Sequence, residues 1–287
     1  MDGFFIIDKP KGITSQGVVA KIKKQFQLKR CGHTGTLDPD ATGVLVVACG
    51  TATKLIRFLE EKKKKYFTTV VFGYDSNTLD IYGQIAQDID MNFTIEELNQ
   101  ALEVLKKQTE QLPPMVSAIK VNGKKLYEYE RKNQKVEVKK RPVAIYDLVK
   151  KSPLRHVENH LEIDIEITCS KGFYVRSFAR DLGELLGGCA ILKELRRLQS
   201  GDFLIENAVL LEDLDKKHLL SIEDIFDYEV LEVNSFVANL ARNGVVLDER
   251  QIKTTEPFYI QYNRDIIAIY EPVGEFQYKP VVICKES

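Results

Sequence analysis

The stretch that most constrains this chain runs from Cys31 to Leu45: Cys-Gly-His-Thr-Gly-Thr-Leu-Asp-Pro-Asp-Ala-Thr-Gly-Val-Leu. Three glycines, a proline, a histidine and two aspartates crowd into it before it enters the apolar block Val44-Leu-Val-Val-Ala48. That block predicts a buried strand. Glycine permits tight backbone geometry, and Pro39 stiffens the chain directly after Asp38. A polar loop seated on a core strand is a common way to present a reactive side chain. It is equally an ordinary turn, because Asp-Pro and Gly-Thr are frequent turn dipeptides. Its own residues leave both readings open.

Around this loop the periodicity changes irregularly. Gly3-Phe-Phe-Ile-Ile7 predicts a strand, and Thr14 or Ser15 caps a helix with Val18, Ile22 and Phe26 inside. Thr53 to Leu59 reads as a turn or two of helix, and Tyr66 to Phe72 as a strand ending at Gly73. Asp75 to Asp80 is a polar loop with Asx-turn chemistry. Thr94-Ile-Glu-Glu97 is a capping box opening a helix with Leu98, Ala101, Leu102 and Leu105 on one face. Val143–Val149 and Leu161–Cys169 predict strands. A helix is expected from about Lys171 through Leu186 to Gly187-Gly188, and a second short one over Leu192–Leu198. Gly201 to Ala208 reads as strand and Leu211 to Leu220 as helix. Beyond a boundary near Tyr228, a short helix at Phe236–Leu240, the turn Asn243-Gly244 and the strand Ile266–Tyr270 predict a small β-rich unit. Strands and helices do not alternate regularly, so the fold class is α+β with a largely antiparallel sheet rather than a doubly wound one. The expected domains are 1–228 and 229–287.

The net charge of −1 hides a segregation. The first 66 residues are rich in Lys and Arg, ending in Lys62-Lys-Lys-Lys65. A second basic stretch runs from Lys120 through Lys124, Lys125, Arg131, Lys132 and Lys135 to Lys139-Lys-Arg141. This stretch lies between two β-like runs and predicts an excursion from the core. Past Gly201 the chain turns acidic. A single Lys run is usually a solvated face; two basic segments together point to a polyanion such as nucleic acid. Asp2, Asp8, Lys9 and Lys11 around the first apolar run argue against a signal peptide. No run approaches the roughly 20 apolar residues that span a bilayer. Five scattered cysteines without a CxxC pair fit a reducing cytoplasm.

Several chemistries are excluded by pattern. The four histidines form no metal-ligand motif; His156 and His160, four apart in a polar connector, read as surface residues. GxxxxGK[ST], GxGxxG and GxSxG sequences are absent. Carboxylate chemistry remains, with Asp38 its best-framed residue. A loop aspartate normally caps a turn; as a nucleophile it needs a cationic partner in a dry site. Arg176, following two aromatics at a helix entrance, is a candidate, since arginine can hold a carboxylate with two bonds. Tyr66 is either a half-buried strand tyrosine or a ring on which a base stacks.

The chain resembles the TruB family of tRNA pseudouridine synthases over nearly all of residues 3 to 210. The carriers are Asp8-Lys-Pro-Lys-Gly12, Gly32-His-Thr-Gly-Thr-Leu-Asp-Pro-Asp-Ala-Thr-Gly43, and Lys65-Tyr66 before a strand ending in glycine. They continue with Pro113-Pro, Ser117-Ala-Ile-Lys-Val-Asn-Gly-Lys-Lys-Leu-Tyr127, Gly172-Phe-Tyr-Val-Arg-Ser177 with Asp181-Leu-Gly183, and Leu195-Arg-Arg-Leu198. The tail is similar to a PUA-type RNA-binding module, although short and not basic.

The resemblance implies a pseudouridine synthase fold around a mixed, mainly antiparallel sheet, and isomerisation of the T-loop uridine at position 55 of tRNA. It makes Asp38 the catalytic aspartate, Arg176 its ion-pair partner and Tyr66 the tyrosine stacking on the target base. His33 would assist base flipping, Lys9 and Pro10 would support the active-site loop, and Leu195 would line the pocket. Residues of about 117–141 would grip RNA. With Lys9, Lys64, Lys65, Lys120, Lys124, Arg131 and Tyr174, these make up the expected RNA-binding set. No cofactor or metal is expected, nor an obligate protein partner; a cytoplasmic monomer acting on the tRNA T-arm is. An RNA-folding chaperone is a second reading of a different class, which complementation by an Asp38 variant would reveal. A substrate among other structured RNAs is a third.

Overall fold

The apolar runs at the start of the chain pair with one another. In the computed structural model, which describes residues 1–60, 62–132 and 134–284, strand β1 (Gly3–Lys9) lies antiparallel to β3 (Thr42–Cys49), from Gly3 opposite Cys49 to Lys9 opposite Gly43. Both strands are buried on both faces, which is why their sequences are apolar without alternation. Phe5, Ile7, Leu45, Val47 and Cys49 face helix α1 (Ser15–Gln25). Phe4, Ile6, Val44, Val46 and Ala48 face Ile222 and Phe226 and, beyond them, Tyr259, Ile269 and Val282 of a second sheet.

The main sheet runs in the order Ile145–Lys150, His160–Cys169, β4 (Lys64–Phe72), Ala190–Ser200, β3, β1 and Val209–Leu210. Its pairings are antiparallel except Ala190–Ser200 beside β3 and Val209–Leu210 beside β1. Strand β2 (Cys31–His33) pairs with the far end of β3. Helices Ile95–Lys106, with both halves of its capping box formed, and Val175–Leu185 cover one face through Leu98, Leu102, Leu105, Phe178 and Leu182. The fold class is α+β with a mixed, mainly antiparallel sheet.

From Glu229 onward a five-stranded sheet and helix Ser235–Arg242 form a β-rich unit with its own core of Val237, Ala241, Leu247, Phe258, Tyr270 and Tyr278. The basic stretch does leave the core. Gln111 opposite Arg141 and Glu110 opposite Pro142 close its neck. Above the neck lie the hairpin Lys120–Val121/Lys124–Lys125 and the short helix Leu126–Glu130.

Four expectations are corrected. Leu192–Leu198 is not a helix but the middle of strand Ala190–Ser200. Register shifts at Leu192/Glu194 and Arg197/Gln199 disrupt its two-residue alternation and leave apolar residues at helical spacing. Gly201–Ala208 holds only the two-residue strand Phe203–Leu204 and a 3-10 turn at Ile205–Asn207. Leu211–Leu220 is two 3-10 turns, because Asp215 accepts from the Lys217 amide and starts a new turn where a helix would continue. His160 is buried: Nδ1 lies 3.1 Å from the Phe72 carbonyl, Nε2 3.3 Å from Asp88, and the ring packs on Tyr74.

Candidate active site

The loop between β2 and β3 is held from three directions. Lys9, at the end of β1, is fully buried, and its ammonium donates to the carbonyls of Pro10, Ile13 and Pro39 at 3.0, 2.6 and 2.9 Å. The Ser15 hydroxyl donates to the Leu37 carbonyl and accepts from the Leu37 amide, at 2.9 and 2.8 Å. The Arg197 guanidinium, also buried, donates to the carbonyls of Val44 at 2.7 Å and Gly35 at 3.1 Å. At Gly43, with φ +103°, a Cβ would stand 2.2 Å from the Arg197 carbonyl, so only glycine lets β3 approach this strand. The loop that presents Asp38 is thus fixed by backbone contacts on both sides of that residue.

Arg176 enters from the first turn of helix Val175–Leu185 and is 5% exposed. Its Nε donates to Asp38 Oδ2 at 2.9 Å and its Nη2 to Oδ1 at 3.1 Å, a two-bond clamp. Nη1 donates to the Thr78 carbonyl and Nη2 also to that of Val116, at 2.9 and 3.0 Å, so the guanidinium cannot swing away without breaking several bonds. Asp38 keeps 38% of its side chain exposed, toward the pocket. Loss of solvent pushes its pKa up, helped by the Asp80 carboxylate and opposed by Arg176 and Lys9.

Two adjoining hollows, of about 240 and about 340 Å³, meet at Asp38, Arg176 and Leu195. The larger is lined by Tyr66, Lys64, Ser117, Phe173, Tyr174 and Arg197. The smaller is bounded by Asp40, Thr78, Asp80, Tyr82 and Glu194. Tyr66 is almost enclosed on β4, opposite Arg197 in register, with the positive charge of Arg197 beside it. Burial raises its pKa, so at neutral pH it is a phenol. Tyr174 is bracketed by the Gln111 side chain, which accepts from its amide at 2.8 Å and donates to its carbonyl at 3.1 Å.

His33 sits on β2, where burial and Arg197 push its pKa down and leave an uncharged imidazole; its enclosed Nδ1 has no hydrogen-bond partner. Lys120, Lys124 and Arg131 are exposed on the insertion, with Arg131 lying over Tyr127 and Lys124 over Tyr129. Lys65 pairs with Glu166. Lys64 is buried, with its ammonium on the carbonyls of Glu60 and Lys62 at 2.6 and 2.8 Å. The placing of Lys9 among RNA contacts is corrected: with no exposed surface it cannot reach a phosphate, and it acts on the loop. Three residues escaped sequence reasoning: Ser15, Arg197 and Asp80. The last accepts from the Thr78 hydroxyl at 2.6 Å and the Tyr82 amide at 3.1 Å. Asp80 had a local signal in its Asx-turn context, and Arg197 stood in the run Leu195-Arg-Arg-Leu198. Among the described residues no group of three or more His, Cys, Asp or Glu is placed to hold a metal.

The family model described as TruB family pseudouridylate synthase (N terminal domain) matches residues 23–175, and that described as tRNA pseudouridylate synthase B C-terminal domain matches residues 176–238. The chain belongs to the TruB family. A relative from Lactobacillus acidophilus, named tRNA pseudouridine synthase B, is 40% identical over 100% of this chain and 99% of its own. One of the same name from the Aster yellows witches'-broom phytoplasma is 38% identical over 98% and 99%. Among solved structures, a Cbf5-Nop10-Gar1 complex superposes with a TM-score of 0.66 at 22% identity, covering 99% of this chain and 84% of that one. An H/ACA RNP bound to a substrate RNA containing 2'-deoxyuridine gives 0.63 at 21%, covering 95% and 78%. These likenesses show that the TruB-family chain carries the pseudouridine synthase fold.

Proposed function

We propose that this pseudouridine synthase isomerises the T-loop uridine conventionally numbered 55 in tRNA. The observation that carries the reading is the two-bond Asp38–Arg176 clamp at the junction of two hollows, with Tyr66 and Leu195 in its wall. The relatives named tRNA pseudouridine synthase B support tRNA as the substrate. A uridine must leave its stack before its sugar bond can be reached, at a cost of a few kcal/mol that is smaller in a loop than in a duplex. The neutral His33 ring takes the vacated stacking space, and Tyr66 stacks on the extruded uracil. Asp38, held in position by the clamp, acts on the flipped nucleotide. The N1–C1′ bond breaks, the base turns, C5 joins C1′, and the C5 proton leaves while N1 gains one.

Lys120, Lys124 and Arg131 on the insertion of residues 117–141 hold T-arm phosphates from outside, together with Lys65 at the end of β4. Residues 1–228 act as the catalytic domain and 229–287 as a small PUA-like module, in a cytoplasmic monomer. Incubation with an unmodified tRNA transcript, followed by mapping, is expected to show one pseudouridine, at position 55. Modification elsewhere, or none, would refute the assignment. Tyr66→Phe keeps the ring without the hydroxyl: if turnover is lost while binding remains, the phenol is the proton carrier, and if turnover is kept, Asp38 is.

A further inference from the structure

We propose that Cys31 and Cys49 form a dithiol site, oxidised by hydroperoxides to a cross-strand disulfide that displaces His33 and slows the enzyme. The two residues are opposite each other on β2 and β3, with sulfurs 3.9 Å apart. Their rung follows from the ladder. The Gly50 amide donates to the Arg30 carbonyl at 3.0 Å, and the Thr34 amide to that of Val46 at 3.1 Å. Bonded rungs are therefore 30–50, 32–48 and 34–46, and both 31–49 and 33–47 fall on non-bonded rungs. In such rungs the Cα atoms of an antiparallel pair come to about 4.5 Å, inside the range a disulfide spans. The backbone is therefore already placed for the bond, and the sulfurs have about 2 Å left to close.

The division of labour between the two thiols is built in. Cys49 is fully buried among Phe5, Ile22 and Val47, whereas Cys31 keeps some exposed surface. The contact with Cys49, the Gly32 amide and Lys23 bring Cys31 below the ordinary thiol range against the opposing effect of burial. The same contact and burial push Cys49 up, and burial raises Cys169, Cys189 and Cys284. Of the pair, Cys31 is the thiol that a hydroperoxide can reach, and its thiolate is the form that attacks. The chemistry balances in two steps. The Cys31 thiolate takes the terminal oxygen of the hydroperoxide, giving a sulfenic acid and releasing the alcohol, or water from hydrogen peroxide. The Cys49 thiol then attacks that sulfur, forming the S–S bond and releasing water.

The link reaches the RNA-facing surface through one residue. His33 follows Cys31 by two positions on the same face of β2, and its Nδ1 has no hydrogen-bond partner to anchor the ring. As the sulfurs close, the Cys31 side chain turns toward Cys49 on the face it shares with that imidazole, and the unanchored ring resettles against the altered surface.

The test is treatment of the full-length protein with hydrogen peroxide, followed by alkylation and peptide mapping. The expected result is a 31–49 cross-linked peptide, with pseudouridine formation falling about tenfold or more and returning on addition of dithiothreitol. Cys31→Ser and Cys49→Ser are expected to keep their activity under peroxide, and Cys49→Ser to accumulate a dimedone-reactive sulfenic acid at Cys31. Absence of the cross-link overturns the site. A complete cross-link with unchanged turnover overturns its coupling to His33, and so does equal peroxide sensitivity in Cys31→Ser. Only the activity readout rests on the functional reading. The peptide map stands without it, and failure of that reading would show as an inactive reduced enzyme.

Discussion

The loop around Asp38 and the insertion around Lys120 are both polar and irregular, yet they are held in opposite ways. In the loop, one ammonium, one hydroxyl and one guanidinium fasten the backbone on either side of the carboxylate. In the insertion, the basic hairpin is held by the neck, by two backbone bonds, Leu126 to Ile119 and Tyr127 to Ser117, and by the Tyr129 hydroxyl on the Val121 carbonyl. Lys124, Lys125 and Arg131 lie over tyrosine rings and share two of them, Tyr127 and Tyr129. The reacting group needs a fixed distance and a dry surrounding, because small misplacements there are expensive in rate. A phosphate-gripping arm needs only charge within reach of a backbone, and tolerates several arrangements.

The contrast can be broken most directly at Asp38. Asp38→Asn keeps the shape and removes the charge; turnover in a tritium-release assay should fall by about a thousandfold or more, with tRNA affinity unchanged within a few fold. Turnover near that of the parent would end the case for a carboxylate mechanism. Arg176→Lys replaces a fork by a point charge and should lower turnover about a hundredfold without loss of RNA binding.

Lys9→Met tests whether the loop depends on its anchor. It removes the donor shared by three part-buried carbonyls, of which that of Pro39 keeps the Gly12 amide, and chemical denaturation should show a loss of about 1–3 kcal/mol. Lys9 itself is pushed down to about 8, chiefly by burial, from 10.5 in the unfolded chain. Between those values the unfolded state holds more protons, so stability should rise with pH across that window, and the rise should vanish in Lys9→Met.

On the other side of the comparison, Lys120→Ala, Lys124→Ala and Arg131→Ala combined should weaken tRNA binding about tenfold and flatten its salt dependence, with kcat at saturation unchanged. A fall in kcat would mean that the arm also shapes the pocket. The smallest effect is expected at Asp80. Asp38 titrates above the usual carboxylate range, so activity falls as pH drops through that raised value. Asp80→Asn removes a like charge and should move this acid limb to lower pH, read from kcat/KM against pH.

The same contrast explains what could be read from the chain itself. Asp38, Tyr66 and Arg176 were legible because each stands in a run of residue types whose order resembles a known family. The insertion was legible because charge and polarity interrupt two strands. Arg197 stands in such a run too, Leu195-Arg-Arg-Leu198, but its part in holding the loop was not legible, since a guanidinium beside a leucine-rich run looks like the polar face of a helix. Only the two register shifts in Ala190–Ser200 turn it inward, and those depend on the strands on either side. Ser15 looked like half of a helix cap, and its bonds to Leu37 span 22 residues. His160 looked exposed because its neighbours in sequence are polar, whereas its partners Phe72 and Asp88 come from another part of the chain. Contacts made across the chain leave no periodic trace in it.

The clamp between Asp38 and Arg176 spans 138 residues, and the bond from Arg197 to Val44 spans 153. A ribosome adding about 5–20 residues per second reaches Arg176 some seven to thirty seconds after Asp38 has been made. Through that interval the nascent chain carries its carboxylate without the cation that will hold it and without the strand that will close the loop. An emerging polypeptide of this kind cannot close its active site before about two thirds of it, through Ser200, has been translated, so the site is completed in one late step rather than growing with chain length.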